Sequence, residues 1–141
     1  MVSQMQILPT LLLLSACMLV SAQTTRSEQD ALALAIKSQR TLNEYAIGAM
    51  EPEAMKYAQR LRLTQAALDA QRKQWPAITQ GPDPWDKFRA CNSALEKASY
   101  VAGLSGMKAV STLDEKVFNT ERARLKKLRS ECDEAIKRAA G

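Results

Sequence analysis

The chain of 141 residues contains no histidine. That absence removes an imidazole base, a histidine-containing triad, an axial histidine for haem and the commonest metal ligand. The three cysteines, Cys17, Cys91 and Cys132, include no Cys-x-x-Cys pair, so neither a thioredoxin-type redox site nor a zinc knuckle is indicated. Glycine and proline number five each, and aromatic residues make up only 5%. Gly103 and Gly106 stand in Val-Ala-Gly-Leu-Ser-Gly-Met with no Lys-Ser/Thr after them, so they form no phosphate loop. Residues 1–22 carry no charged side chain, and no apolar run reaches the ~20 residues of a membrane-spanning helix.

What is present is helix-forming. Alanine, leucine, glutamine, lysine and arginine dominate, and all favour helix. The length suits one domain. The net charge of +5 is too mild to demand an acidic partner and reads as a solvated helical surface. The densest basic cluster, Arg122, Arg124, Lys126, Lys127 and Arg129, spreads around a helix rather than along one stripe. Nucleic acid is therefore not expected as a partner.

The apolar stretch from Ile7 to Val20, followed by Val20-Ser21-Ala22, has the pattern of a secretory signal cleaved after Ala22. Residues 23–141 then form the single mature domain. A second ending competes: Leu14-Ser15-Ala16-Cys17 resembles a bacterial lipobox, which would lipidate Cys17 and anchor the protein in a membrane. The apolar Met18-Leu19-Val20 that would begin such a lipoprotein favours plain export to the periplasm or the exterior.

The mature chain reads as four helices. The first, over 28–49, starts at Ser27-Glu28-Gln29-Asp30 and carries Leu32, Ala35, Leu42, Ala46 and Ala49, with Gln39 interrupting the stripe. Pro52 ends it and suits the first turn of a second helix over 52–75. That helix's face is Ala54, Tyr57 or Ala58, Leu61, Leu68 and Trp75. A proline-rich loop from Pro76 to Pro84 follows, flanked by Trp75 and Trp85. These two tryptophans either close the end of a bundle or line a ligand groove, and they are the candidate binding residues.

Asp83-Pro84-Trp85-Asp86 starts the third helix, with Phe88, Cys91, Leu95, Ala98 and Ala102 on one face. Ser111 or Thr112, each with an acid three places on, starts the fourth. Its stripe is Val117, Leu125, Leu128, Cys132, Ala135 and Ala139. Ion pairs are expected along its outer face at Arg129–Asp133, Asp133–Lys137 and Glu134–Arg138.

Cys91 and Cys132 are expected to form a disulfide between the third and fourth helices, as cysteines of an exported domain do. The pairing also sets a boundary. In an antiparallel hairpin, facing residues lie equally far from the turn, and the midpoint of this pair falls between Ser111 and Thr112. A third helix stopping at Gly103 would leave the sulfurs roughly 10 Å apart along the axis, too far for a bridge. The third helix is thus expected to continue through Gly103 and Gly106 to about Ala109, with the glycines admitting the fourth helix near Val117 and Asn119.

The expected architecture is an all-α, antiparallel four-helix bundle cross-linked between its last two helices. The carboxylates sit at helix starts and on polar faces, so no catalytic residue, cofactor or metal is assigned and the protein is read as non-enzymatic. The function that fits is an exported cell-envelope protein acting through contacts with another envelope protein, as an accessory, inhibitor or immunity-type partner. The alternative is a carrier or sensor of a small apolar or anionic ligand held within the bundle.

Overall fold

The structure is a computed structural model that describes residues 10–77, 83–110 and 112–141. Three expectations fall partly outside this range: the first residues of the export segment (1–9), the heart of the proline-rich loop with Gly81 and Pro82, and Ser111 as a cap. The described residues are all-helical. The helices are α1 (Thr10–Ala49), α2 (Ala58–Arg72), α3 (Arg89–Ala109) and α4 (Glu115–Ala140). Short 3-10 turns, Pro52–Met55 and Pro84–Phe88, precede α2 and α3.

α3 packs against each of the other three helices. α1 also touches α2 and α4, whereas α2 and α4 do not meet among the described residues. In section the bundle is therefore a diamond with α1 and α3 on its short diagonal. Side-chain size explains this. α1 presents Ala31, Ala35, Ala46 and Ala49, and α3 presents Cys91, Ala94, Ala98 and Ala102, all without exposed surface. Such small residues let two helix axes approach to the near end of the usual 8–10 Å range. The larger side chains, Leu42, Leu68, Leu95, Phe118 and Leu125, fill the flanks.

α1 differs from its expected bounds. It does not begin at Ser27 but runs back to Thr10, because the leucine- and alanine-rich residues upstream favour helix and nothing between Thr10 and Ser27 breaks it. Its buried stripe is Ala31, Ala35, Ser38, Leu42, Ala46 and Ala49, so the polar member of the stripe is Ser38 and not the expected Gln39, which is only partly buried.

α2 is shorter than expected, and the reason is phase. Met55 is buried, only 3% exposed, while the inward residues of α2 are Thr64, Leu68 and Gln71. A single helix cannot turn both Met55 and that set inward. The chain breaks at Tyr57, which is extended at φ −95° and ψ 118°, and the helix restarts in a new phase. Tyr57 and Ala58, expected on the buried face, are exposed instead.

The start of the third helical segment follows the sequence. The Asp83 carboxylate accepts from the Trp85 backbone N–H at 3.0 Å, and Pro84 holds the first position. α3 then continues through both glycines to Ala109. The glycines, however, face α2 and not α4. A Cβ on Gly106 would lie 2.7 Å from Leu61 Cδ2, and one on Gly103 would lie 3.2 Å from Gln65 Nε2.

The cap of α4 is also reassigned. Asp114 accepts from the N–H groups of Lys116 (2.7 Å) and Val117 (3.3 Å). Thr112 serves the preceding helix: its hydroxyl and its N–H both donate to the Met107 carbonyl, at 3.0 and 3.1 Å. On α4 the stripe runs through Phe118, Glu121, Leu125, Cys132, Ala135 and Ile136, while Val117 and Ala139 are exposed. The Glu134–Arg138 pair forms at 3.8 Å. Asp133 instead accepts from Gln39 of α1 at 2.7 Å, and Arg129 donates to Asn43 at 3.1 Å.

Cys91 and Cys132 are joined in a disulfide that ties α3 to α4, with their Cα atoms 4.7 Å apart and no exposed surface on either residue. Among the described residues, no helix is long and apolar enough to cross a membrane.

Candidate functional site

Three constellations were open to a role: the tryptophan pair, the charged groups brought inside by α4, and the surface around the break between α1 and α2. Each follows from the local folding just described.

Trp75 and Trp85 meet edge to face, their ring centroids 6.1 Å apart at 75°. Trp75 Nε1 donates to Ser38 Oγ at 3.0 Å, and its ring packs against both halves of the core. Trp85 packs against the cluster around Cys91, Cys132 and Phe88. Both rings are half-buried, so much of their surface is already used in closing this end of the bundle. Ser38 is the centre of a polar knot that hydropathy alone did not reveal. It donates to the Leu34 carbonyl at 2.8 Å and accepts from Gln71 Nε2 at 3.2 Å. Gln71 Oε1 in turn accepts from Gln74 Nε2 at 3.4 Å, and Lys37 donates to Gln74 Oε1 at 2.9 Å. The knot's positions in α1 and α2 share the helical spacing of the apolar stripes, and that spacing was the signal available for finding it.

Glu121 is the charged group that α4 buries. Lys97 of α3 and Arg124 each reach one of its oxygens at 2.6 Å. The hydrogen bond from Lys97 holds the carboxyl below its ordinary range, against the opposing effect of burial, with the charges of Lys97 and Arg124 adding to the depression. An ionised carboxylate satisfied from two sides is a strut between helices, not an acid waiting to donate a proton. Among the described residues, no group of His, Cys, Asp and Glu side chains is placed to hold a metal ion.

The break between α1 and α2 creates an open surface feature. An open groove of about 700 Å³ runs between the end of α1, the 3-10 turn and the first turns of α2. Its lining includes Met55 and Thr64 from the buried layer, Tyr45, Tyr57 and Leu63 as apolar walls, and the charges of Glu44, Glu51 and Arg60. Tyr57 is 70% exposed and Leu63 61%. The Glu44 carboxylate, hydrogen-bonded to the Tyr45 hydroxyl, raises that phenol above its usual range, its negative charge and burial acting the same way. Sequence reasoning put either Tyr57 or Ala58 on the apolar face of the second helix and gave Leu63 no role. The available signal was that Leu63 lies off the Leu61–Leu68 stripe.

Among the described residues, most of the exposed large apolar side chains share an end; Tyr100, midway along α3 and 51% exposed, stands apart. Gly106 lies against Leu61, so the start of α2 stands beside the end of α3. Tyr57, Leu63, Met107, Val110 and Val117 therefore gather where α1 and α3 finish and α2 and α4 begin, each at least 45% exposed. Cys17 belongs to the part of α1 whose side chains lie outside the described residues. Comparison with protein-family models, with curated proteins and with solved structures finds no match to this chain.

Proposed function

We propose that the protein is a non-catalytic, exported cell-envelope protein that acts by binding another envelope protein through the end of its bundle. The observation that carries this reading is the concentration of Tyr57, Leu63, Met107, Val110 and Val117 at that end. Isolated exposed apolar side chains are ordinary on protein surfaces, but several of them at one end of a bundle, with Tyr57 and Leu63 also lining an open groove, offer an association surface. The export half of the proposal draws on the secretory pattern of residues 1–22 and on the Cys91–Cys132 disulfide, which suits an oxidising compartment.

The rival reading, a carrier of a small apolar or anionic ligand, draws support from the groove's volume, which lies in the range of ligand pockets. Its lining argues otherwise: two carboxylates against one guanidinium repel an anion, and the open side leaves an apolar ligand wet.

Affinity capture from an envelope extract tests the proposal. The wild-type protein is expected to retain a specific partner, and Val110→Glu, which changes a 63% exposed residue, is expected to lose it while melting at the same temperature. Equal retention by both proteins would move the interface away from this end. Recovery of a bound small molecule with no protein partner would favour the carrier.

A further inference from the structure

The groove between α1 and α2 has a chemistry more specific than exposed apolar surface alone. Glu44 and Glu51 line it against the single Arg60, so its lining is net negative on a chain whose net charge is +5. Neither carboxylate takes part in an ion pair among the described residues, whereas nearby Glu53 is paired with Lys56 at 3.6 Å. Two tyrosine rings stand in the same walls. A cation near carboxylates and over aromatic faces is attracted by both, and the CH₂ stem of lysine or arginine lies favourably along apolar surface. Met55 and Leu63 supply that surface. The groove is open along one side and larger than one side chain requires, so a length of polypeptide fills it better than a small free cation.

We infer that this groove receives an extended segment of a partner protein that presents a lysine or arginine flanked by apolar residues. The cation sits between Glu44 and Glu51, its stem lies against Tyr45 and Tyr57, and the neighbouring apolar residue rests on Leu63 and Met55. The inference rests on the partner-binding reading and adds the chemistry of the partner's contact segment.

The test uses three capped peptides, acetyl-Leu-Lys-Leu-amide, acetyl-Leu-Arg-Leu-amide and acetyl-Leu-Glu-Leu-amide, titrated into the ¹⁵N-labelled protein. The lysine and arginine peptides are expected to shift the amides of Glu44, Tyr45, Tyr57 and Leu63, while the glutamate peptide leaves them in place. The double variant Glu44→Gln, Glu51→Gln changes two exposed residues and should keep the fold while weakening peptide binding at least five-fold. Absence of shifts at the groove, equal binding of the glutamate peptide, or unchanged binding by the double variant would each overturn the inference. Affinity capture separates this failure from failure of the underlying reading. A partner held equally by wild type and double variant refutes the groove as its contact, whereas a wild type that captures no protein refutes the partner-binding reading even where the peptides bind.

Discussion

Ser38 shows how one polar side chain in a row of alanines becomes structurally decisive. Its hydroxyl accepts two N–H groups, from Gln71 and Trp75, in a place closed to water. Ser38→Ala leaves both donors without that acceptor, so a loss of about 1–3 kcal/mol is expected in urea unfolding. Adding Gln71→Leu removes one orphaned donor, and the double variant should cost less than the sum of the two singles. A purely additive result would show that the knot carries no coupling. Glu121 makes a pH-dependent contribution. Its carboxyl is depressed in the folded protein, so the stability it contributes is present above the unfolded value of about 4.3. That stability is lost as pH falls through the lower folded value. The stability gap between wild type and Glu121→Gln should be constant near neutrality and close as the solution is acidified below pH 4. A gap that widens on acidification would reverse the assignment. Hydropathy points to neither residue, because both are polar members of a stripe, and only their helical spacing marks them in the sequence.

At the scale of the helix, the boundaries show which rules read easily. The Asp83-Pro84 start was legible because an acceptor side chain and a preset φ act locally. The extent of α3 was legible because the disulfide fixes the geometry of the hairpin and overrides the weak helix preference of Gly103 and Gly106. Which neighbour those glycines face was not legible, since that depends on where α2 sits around α3. The cap of α4 was misplaced for a chemical reason: hydroxyl and carboxylate both cap helices, and Thr112 and Asp114 stand two residues apart. The structure divides the labour between them, Thr112 closing α3 and Asp114 opening α4. Asp114→Ala should therefore cost about 1 kcal/mol, with hydrogen exchange accelerated in the first turn of α4. A larger effect from Thr112→Val on that same turn would restore the hydroxyl as the cap.

For the molecule as a whole, the fold class and the covalent cross-link were legible, and the candidate site was not. The heptad-like stripes announce a helical bundle, and two buried cysteines on facing stripes announce their bond. The groove depends on a re-phasing at Tyr57 that propensities do not encode, because it arises from Met55 and Leu68 both seeking one core. Removing the cross-link tests how far the bundle depends on it. Replacing Cys91 and Cys132 together by alanine should lower stability by about 4 kcal/mol in the chain-entropy picture for a loop of this size, with helical content retained at low temperature. An undiminished melting temperature would show that packing alone holds α3 on α4.

The long-range ties of α1 have a consequence for how the chain is made. Gln39 finds Asp133 across 94 positions, and Ser105 bonds the Ala49 carbonyl across 56. A polypeptide emerges amino end first, so α1 is complete long before the surfaces that cover its alanine stripe exist. α3 and α4, by contrast, are neighbours in the chain and can pair as soon as both have appeared. α1 thus waits for α3 to cover its alanine stripe and for α4 to complete its polar ties, and until then the surface it turns to the core stays open.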